Sequence, residues 1–350
     1  MSASSCQPLP ETIENVEQLE ELLSRPTLEV IAAMVQLDGD LILLGAGGKI
    51  GPSLARMARR ASDAAGVRRR IIGVARFSTP ALEGQLQSQG IDTIRCELLD
   101  PEQLAALPEV PNVLYLAAIK FGSTGQEAST WTRNVYLPGR VCEKYAHSRI
   151  VAYSTGNVYP LTPVPRGGAV ESDPLGPVGE YAMSCLGRER VFTYFSQTMG
   201  TPVALVRLNY ACDLRYGVLV DVAQKVMAGE PIDVTMGYVN TIWQGDNNAM
   251  TLQAFGHAAS PPLAVNVTGP ETLSVRRVAE QFGQLLHRPV HCVGNEAPDA
   301  LLSDAGLAYR LFGRPRVSAS RMIRWIADWC SRGGVALNKA THFEVRNGRF

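Results

Sequence analysis

The feature that most constrains this chain is a short apolar run that ends in a cluster of glycines. Leu41 to Leu44 are all apolar, glycines follow at positions 45, 48 and 51, and apolar residues then recur at helical spacing. This order predicts a strand, a tight turn and a helix, with the first glycine at the bend, the second open to a pyrophosphate and the third at the contact between helix and strand. The stretch therefore predicts dinucleotide contacts at Gly45, Gly48, Lys49, Ile50 and Gly51. The competing interpretation is a glycine-rich turn that binds nothing.

The rest of the chain predicts an α/β fold in three parts. Residues 1–37 form a helical N-terminal extension, in which Pro26 interrupts the helix and Thr27 caps a second one. Strands predicted over 69–78, 91–96, 111–118, 150–153 and 202–209 alternate with helices, which indicates a doubly wound parallel sheet spanning 38–212. Residues 213–350 alternate less regularly and predict a second, smaller α/β lobe for the substrate, with a polar tail that the pattern does not assign.

Bulk composition excludes several classes of function. Lys plus Arg and Asp plus Glu number 33 each, so the charge favours neither nucleic acid nor a membrane surface as a partner. No apolar run has the length of a membrane span, and the first residues lack a signal pattern. Seven scattered cysteines without a C-x-x-C pair predict reduced thiols in the cytoplasm. Pro289 separates His287 from His291, so we expect no metal site there.

The end of the second predicted strand bears on the choice of cofactor. In dinucleotide folds an acidic residue there holds the ribose of NAD, whereas an arginine accommodates the extra phosphate of NADP. Here Arg76 and Ser78 occupy the position and no acid is present. This favours NADP mildly over NAD, and the alternative is that Arg76 is only a solvated charge at a strand end.

With these residues in hand, the chain resembles the extended short-chain dehydrogenase/reductase family, the nucleotide-sugar epimerases and dehydratases, over roughly residues 40–330. The resemblance rests on the glycine spacing together with Ala117-Ala118, Asn134-Val135, the run Ser154-Thr155-Gly156-Asn157-Val158-Tyr159, Tyr181 with Ser184, Arg207, and the segment Asn240 to Asp246. It implies a Rossmann sheet, NAD(P) as cofactor, and a homodimer formed by two long helices.

The resemblance also implies roles for single residues. Thr155 matches the hydroxyl that bonds the substrate oxygen, and Tyr181 matches the tyrosine that exchanges the proton as hydride moves. Lys120 matches a lysine near the cofactor and the substrate, and Asn157 lies on the substrate side beside Thr155. The remaining cofactor positions implied are Glu97 and Leu98 at the adenine, and Ala117, Ala118 and Asn134 along the cofactor.

One position departs from the family pattern. The family tyrosine is followed four residues later by a lysine that lowers the phenol's pKa, but here Cys185 stands in that place. Three interpretations remain open: Lys120 or Arg188 supplies the missing cation, the reaction needs little tyrosinate, or catalysis is lost and the chain is an NAD(P)-binding sensor or scaffold. Cys185 itself is a candidate nucleophile or a small space-filler.

The second lobe offers the candidates for substrate contact. Arg215 and Tyr216 lie in a loop, and Trp243 has a ring that stacks well on a sugar, although a core position is the alternative. Asn240 and Asp246 are further polar candidates. Family dehydratases usually carry Asp-Glu after the Ser/Thr, whereas Gly156-Asn157 follows Thr155 here. We therefore expect hydride transfer on a sugar, sugar acid or nucleotide sugar, as an epimerase or a simple oxidoreductase.

Overall fold

A seven-stranded parallel sheet forms the centre of the molecule in the computed structural model, which describes residues 8–120 and 124–349. Its strands are β1 (Leu41–Leu44), β2 (Ile71–Ala75), β3 (Asp92–Arg95), β4 (Asn112–Tyr115), β5 (Arg149–Thr155), β6 (Val203–Leu208) and β7 (Leu263–Val267). Their order across the sheet is β7-β6-β5-β4-β1-β2-β3. Every residue of β1 and β4 is buried, as expected of strands covered by helices on both faces. The predicted doubly wound Rossmann sheet is confirmed.

The helices lie on the two faces of this sheet and in the second lobe. They are α1 (Val16–Leu23), α2 (Leu28–Gln36), α3 (Gly51–Ala64), α4 (Pro80–Ser88), α5 (Pro101–Ala106), α6 (Glu127–Trp131), α7 (Leu137–Lys144), α8 (Glu180–Met199), α9 (Val218–Ala228), α10 (Gln244–Gln253), α11 (Val275–Leu286), α12 (Gly306–Phe312) and α13 (Ala319–Ser331). A π-helical turn, Thr132–Tyr136, joins α6 to α7, and short 3₁₀ turns span Gly156–Val158, Val164–Arg166 and Ala254–His257. None of the described helices has the length and apolar character of a membrane span.

Four short two-stranded ladders complete the secondary structure. Two are parallel, pairing Ile242–Trp243 with Ala211–Cys212 and Cys292–Val293 with Ile232–Asp233. Two are antiparallel, pairing Tyr238–Val239 with Leu273–Ser274 and Asp299–Ala300 with Thr162–Pro163. Together with α9, α11 and α13, which pack on one another, most of these ladders form the second lobe.

The last strand of the sheet comes from the part of the chain predicted to be the second lobe. β7 pairs in parallel with β6 along its whole length, from Leu263 opposite Ala204 to Val267 opposite Leu208. Helix α10 likewise packs on α2 and α3. A division of the chain at 212/213 therefore does not separate two independent units, because the chain crosses back to finish the sheet. Local periodicity does not predict this pairing, because the partner strand β6 lies far away in the sequence.

The N-terminal extension packs on the core. Asn15 and Thr27 cap α1 and α2 through their side chains, as predicted for Thr27. Leu19 and Leu23 are fully buried, and Asn248 of α10 donates to the Leu23 carbonyl at 3.0 Å. The extension is thus continuous with the folded body of the same chain.

Candidate functional site

Two adjacent cavities open at the carboxyl ends of the central strands, where ligands bind in folds of this type. The first, of about 290 Å³, lies over β1, β2 and β3, and the second, of about 320 Å³, lies over β5 and β6. Gly48, Leu116 and Ala118 line both. A larger groove of about 850 Å³ lies between α2, α10 and the segment 311–316, but of the predicted site residues it is lined only by the weaker candidate Asp246. The two smaller cavities are therefore the candidate site.

The glycine turn between β1 and α3 is shaped by close backbone contacts. Gly45 has a φ of +97°, and a Cβ there would lie 2.8 Å from the Ala117 nitrogen. A Cβ on Gly51 would lie 2.3 Å from the Ala46 carbonyl oxygen, whereas one on Gly48 would meet nothing closer than 3.6 Å. Helix α3 has no side-chain cap at its start, which leaves its first N–H groups to an anion in the cleft. The turn thus has the close backbone packing at Gly45 and Gly51, and the open position at Gly48, that the sequence predicted.

The first cavity has charged groups at its rim. Arg76, Glu97 and Leu98 line it, as does Arg133, which the sequence did not single out. Both guanidinium groups face one carboxylate, with the Arg76 Nη1 3.6 Å from Glu97 Oε2 and the Arg133 Nη1 3.6 Å from Glu97 Oε1. Ala117 and Ala118 form the small-residue wall. Arg133 was missed because it lies on the π-helical turn, far from the glycine motif in sequence.

The second cavity brings the two predicted hydroxyls together. Thr155 at the end of β5 and Tyr181 in the first turn of α8 form a side-chain hydrogen bond and both line the cavity. The backbone and side-chain N–H groups of Asn157 donate to Thr155 Oγ1 at 3.2 and 3.0 Å. Because these two donors occupy the acceptor capacity of the hydroxyl, the Thr155 proton is directed outward, towards Tyr181 or a substrate oxygen.

Tyr181 is neutral in this environment. Burial raises the pKa of its phenol well above 10, and Cys185 raises it further while Arg188 lowers it. Cys185 is completely buried and hydrogen-bonded with Tyr181, and burial raises the pKa of its thiol. A protonated, enclosed thiol is a poor nucleophile, so Cys185 acts as a space-filler beside the phenol.

Two candidate cations stand near Tyr181. The Lys120 Nζ lies 5.9 Å from the Tyr181 ring centroid, lines the second cavity and donates to the Thr341 carbonyl at 3.3 Å. Burial lowers the pKa of Lys120 to about 8. Arg188 is buried behind α8, where its Nη1 donates to the Tyr153 carbonyl at 2.9 Å, and it does not line the cavity. Of the two, only Lys120 can therefore touch a ligand.

Lys49 connects the glycine turn to the second lobe. Its Nζ donates to the Ala211 carbonyl at 3.0 Å and lies 4.1 Å from the ring centroid of Tyr216. Lys49, Ile50 and Tyr216 all line the second cavity, as predicted for ligand contacts. Burial lowers the pKa of the Lys49 ammonium, and the nearby Asp213 carboxylate opposes this shift.

Several wall residues were not predicted from the sequence, and Asn209, Tyr210 and Thr341 are among them. Tyr210 has a positive φ of 49°, and its place after β6 follows from the sheet order. Thr341 belongs to the C-terminal tail. The general rule that ligands bind beyond strand ends covers Asn209 and Tyr210, but no local pattern signals Thr341.

Asn134 is a correction to the predicted cofactor contacts. It is fully buried and lines neither cavity. Its Oδ1 accepts from the Ile119 amide at 3.0 Å, and its Nδ2 donates to the Ile119 carbonyl and to Ser184 Oγ, both at 2.9 Å. Asn134 therefore fixes the loop after β4 to α8.

Two predicted substrate residues are also corrected. Arg215 does not line the second cavity, because its guanidinium pairs with Glu20 at 2.6 Å and with Asp213 at 3.1 Å. Trp243 is 3% exposed and packs edge-to-face on Trp325 with ring centroids 5.4 Å apart, so it belongs to the core. The weaker candidates Asn240 and Asp246 are buried too and lie outside this cavity. Residue type alone did not distinguish a binding ring from a core ring.

Comparison with known proteins places this geometry in a family. The profile of the NAD dependent epimerase/dehydratase family matches residues 41–215. Solved structures of the same fold include a UDP-glucuronic acid 4-epimerase from Bacillus cereus in complex with NAD (18% identity, TM-score 0.70, 84% of this chain and 99% of that chain covered). Two others are a dTDP-glucose 4,6-dehydratase, DesIV, from Streptomyces venezuelae (20%, 0.69, 83% and 97%) and MoeE5 in complex with UDP-glucose and NAD (20%, 0.67, 84% and 99%). No curated protein sequence matches the chain. The family profile spans half of the 350 residues, and the chain belongs to the NAD-dependent epimerase/dehydratase family.

Proposed function

We propose that this protein catalyses NAD(P)-dependent hydride transfer at a carbinol carbon of a sugar, sugar acid or nucleotide sugar, as an epimerase or a dehydrogenase. The observation that carries the proposal is the hydrogen-bonded pair of Thr155 and Tyr181 in a cavity that adjoins the glycine turn. Solved relatives of the same fold hold NAD together with UDP-glucose or UDP-glucuronic acid, which supports this substrate class.

The chemistry follows from the two hydroxyls. A bound nicotinamide accepts or donates the hydride. Thr155 donates a hydrogen bond to the substrate oxygen and keeps its proton, since Asn157 holds that hydroxyl as an acceptor on its other side. Tyr181 gives its proton to the oxygen during reduction and takes it back during oxidation. The neutral phenol already carries the proton that reduction of the substrate requires. Oxidation of the substrate requires the tyrosinate, which a nearby positive charge favours.

For the cofactor we propose NADP in preference to NAD. Arg76 is two-thirds exposed at the first cavity, and Ser78 and Arg133 line the same space, so a 2′-phosphate has cations to meet. Glu97 is the opposing feature, because a carboxylate there suits ribose hydroxyls. Titration of the protein with NADP and with NAD gives the two affinities and decides between the cofactors. Arg76→Ala should weaken NADP binding and leave NAD binding unchanged.

We also propose a cytoplasmic homodimer built on α7 and α8. Tyr136, Met183, Tyr194 and Met199 on and beside these helices are each more than 40% exposed. Exposed apolar side chains on two neighbouring helices are typical of a protein interface. A molar mass from light scattering that equals one chain would contradict the dimer.

The second candidate is a protein that binds NAD(P) without turnover. The cysteine at position 185 and the raised pKa of Tyr181 favour it. Incubation with a panel of sugars and nucleotide sugars, followed by the absorbance of reduced nicotinamide and product analysis for epimers, separates the two. Turnover that Tyr181→Phe abolishes supports the enzyme, whereas cofactor binding with no turnover on any compound supports the sensor.

A further inference from the structure

We infer that the C-terminal segment 337–349, here called the strap, packs beside the active site and contributes Thr341 to it. The Thr341 carbonyl positions Lys120 beside Tyr181, so that Lys120 supplies the positive charge that position 185 lacks. This inference rests on the proposed hydride-transfer function.

The strap is anchored on the second lobe. The Leu337 amide donates to the Arg215 carbonyl at 3.0 Å. The Thr341 amide and hydroxyl both donate to Asp221 Oδ2, at 2.8 and 2.5 Å. Phe343 is 1% exposed in the core of that lobe. A segment with a buried aromatic ring and paired backbone groups is ordered structure.

The strap then returns to the first lobe next to Tyr181. A Cβ on Gly348 would lie 2.1 Å from the Val178 carbonyl oxygen, and one on Gly179 would lie 2.3 Å from the Gly348 carbonyl oxygen. Gly179 immediately precedes α8, the helix that carries Tyr181 in its first turn. The strap therefore contacts both the second lobe and the start of α8, and Thr341 between these two contacts lines the second cavity.

Lys120 is held where the strap crosses the cavity. Its Nζ donates to the Thr341 carbonyl at 3.3 Å and lies 5.9 Å from the ring centroids of both Tyr181 and Tyr210. An opposite charge about 4–6 Å away favours the ionised form of a group. The ammonium lies beside the ring that carries the phenol, and in this proposal it favours the developing tyrosinate.

The surrounding groups keep Lys120 titratable near neutral pH. Burial lowers its pKa to about 8, and the carboxylates of Asp221 on α9 and Glu344 on the strap oppose this shift. The neighbouring Cys185 on α8 is a neutral thiol. Arg188, also on α8, does not line the cavity, but its positive charge favours the ionised form of Tyr181. The strap therefore both encloses Lys120 and supplies one of its counter-charges.

The test compares Lys120→Met with Lys339→Met, which removes an exposed lysine of the strap. We expect Lys120→Met to lower kcat by about 100-fold, the lower range for lost acid–base assistance, and Lys339→Met to leave it unchanged. Adding Cys185→Lys to Lys120→Met restores the family spacing and should recover most of the loss. Unchanged kcat in Lys120→Met, or a loss equal to that of Lys339→Met, would overturn the role of Lys120.

The role of the strap is tested both in the protein that contains Lys120 and in the Lys120→Met/Cys185→Lys protein. Deleting residues 337–350, or replacing Asp221 by Ala so that Phe343 stays in place, should lower kcat strongly when Lys120 is present. The same changes should have less than about a twofold effect in the Lys120→Met/Cys185→Lys protein, because coupled positions are non-additive. Equal effects in both backgrounds would show that the strap is only structural.

A measurement independent of turnover separates this inference from the proposed function. NMR of ¹³C-methylated lysines should show one signal with a pKa of about 8 that is missing in Lys120→Met. In the strap deletion this pKa should move up towards 10.5. If it does not move, the strap does not enclose Lys120. If it moves but no compound is turned over, the proposed function fails instead.

Discussion

Polar side chains around the cleft differ in how many of their hydrogen-bonding atoms are already occupied by the protein. Asn134 has three bonds to the loop after β4 and to Ser184, and Arg215 is paired with two carboxylates. Thr155, by contrast, accepts twice from Asn157 and keeps its own proton to donate. Residues of the first kind hold elements together, and residues of the second kind are available to a ligand.

At this residue scale, Trp243 provides a clear test of core against substrate contact. Replacing it by Ala should destabilise the protein by about 3–5 kcal/mol, because a large buried ring is lost together with its edge-to-face contact with Trp325. Denaturant unfolding measures this loss. The KM of the folded fraction should not change. A raised KM with an unchanged free energy of unfolding would show instead that Trp243 contacts the substrate.

The pH dependence of stability reports on Lys120. Its pKa is about 8 in the folded chain against an ordinary 10.5, because burial disfavours the ammonium. Between these values the unfolded chain holds a proton that the folded chain has lost, so this residue makes the free energy of unfolding rise with pH. Subtracting the Lys120→Met curve from that of the wild type should isolate the rise, and Lys339→Met should not remove it. A flat difference would mean that Lys120 titrates normally.

Among the elements, the glycine turn is the one whose sequence and geometry agree most closely. Gly45 needs its positive φ and also touches Ala117 of the next strand end, so it locks β1 to β4 at the cofactor cavity. Gly66 also has a positive φ, +69°, but a Cβ there meets nothing within 4 Å. A side chain at position 66 would therefore cause backbone strain alone, whereas one at position 45 would cause the same strain and also a steric clash.

The matched pair Gly45→Ala and Gly66→Ala tests this distinction. In both variants the strain of an alanine at positive φ should lower the free energy of unfolding by about 1–2 kcal/mol. Only Gly45→Ala should also weaken cofactor binding, by at least about tenfold (~1.4 kcal/mol), since Ala117 must move out of the cavity wall. Calorimetric titration and thermal unfolding give the two quantities. Equal affinity in both variants would contradict a structural role for the contact at Ala117.

For the molecule as a whole, local patterns predicted the sheet and half of the cleft. The alternation of strands and helices and the glycine spacing follow from short stretches. The family resemblance implied the pair of Thr155 and Tyr181, which the structure brings together. The place of β7 in the sheet, Arg133 and Thr341 were not predicted, because each depends on a partner far away in the chain: β6, Glu97 and Asp221. Arg215 and Trp243 were misassigned for the same reason, since only tertiary contacts show that they are occupied.

The crossing of β7 back into the sheet predicts that the two lobes unfold together. Asn266 of β7 accepts from the Tyr159 hydroxyl at 2.8 Å and donates to the Ala169 and Asp304 carbonyls. Tyr159 in turn accepts from Arg207, whose guanidinium pairs with the buried Glu189. A fragment of residues 38–212 would lose β7, leave the edge of β6 unpaired and remove a partner of this buried network.

We therefore expect the fragment of residues 38–212 to be insoluble or to lack a cooperative unfolding transition. The full chain should unfold in a single cooperative transition. Scanning calorimetry of the full chain and circular dichroism of the fragment make the comparison. Adding residues 213–270 to the fragment should not rescue it fully, since Asp304 and the α12 side of β7 remain absent. A soluble 38–212 fragment that melts cooperatively and binds NAD would show instead that the dinucleotide lobe is an autonomous domain, with β7 as an accessory strand.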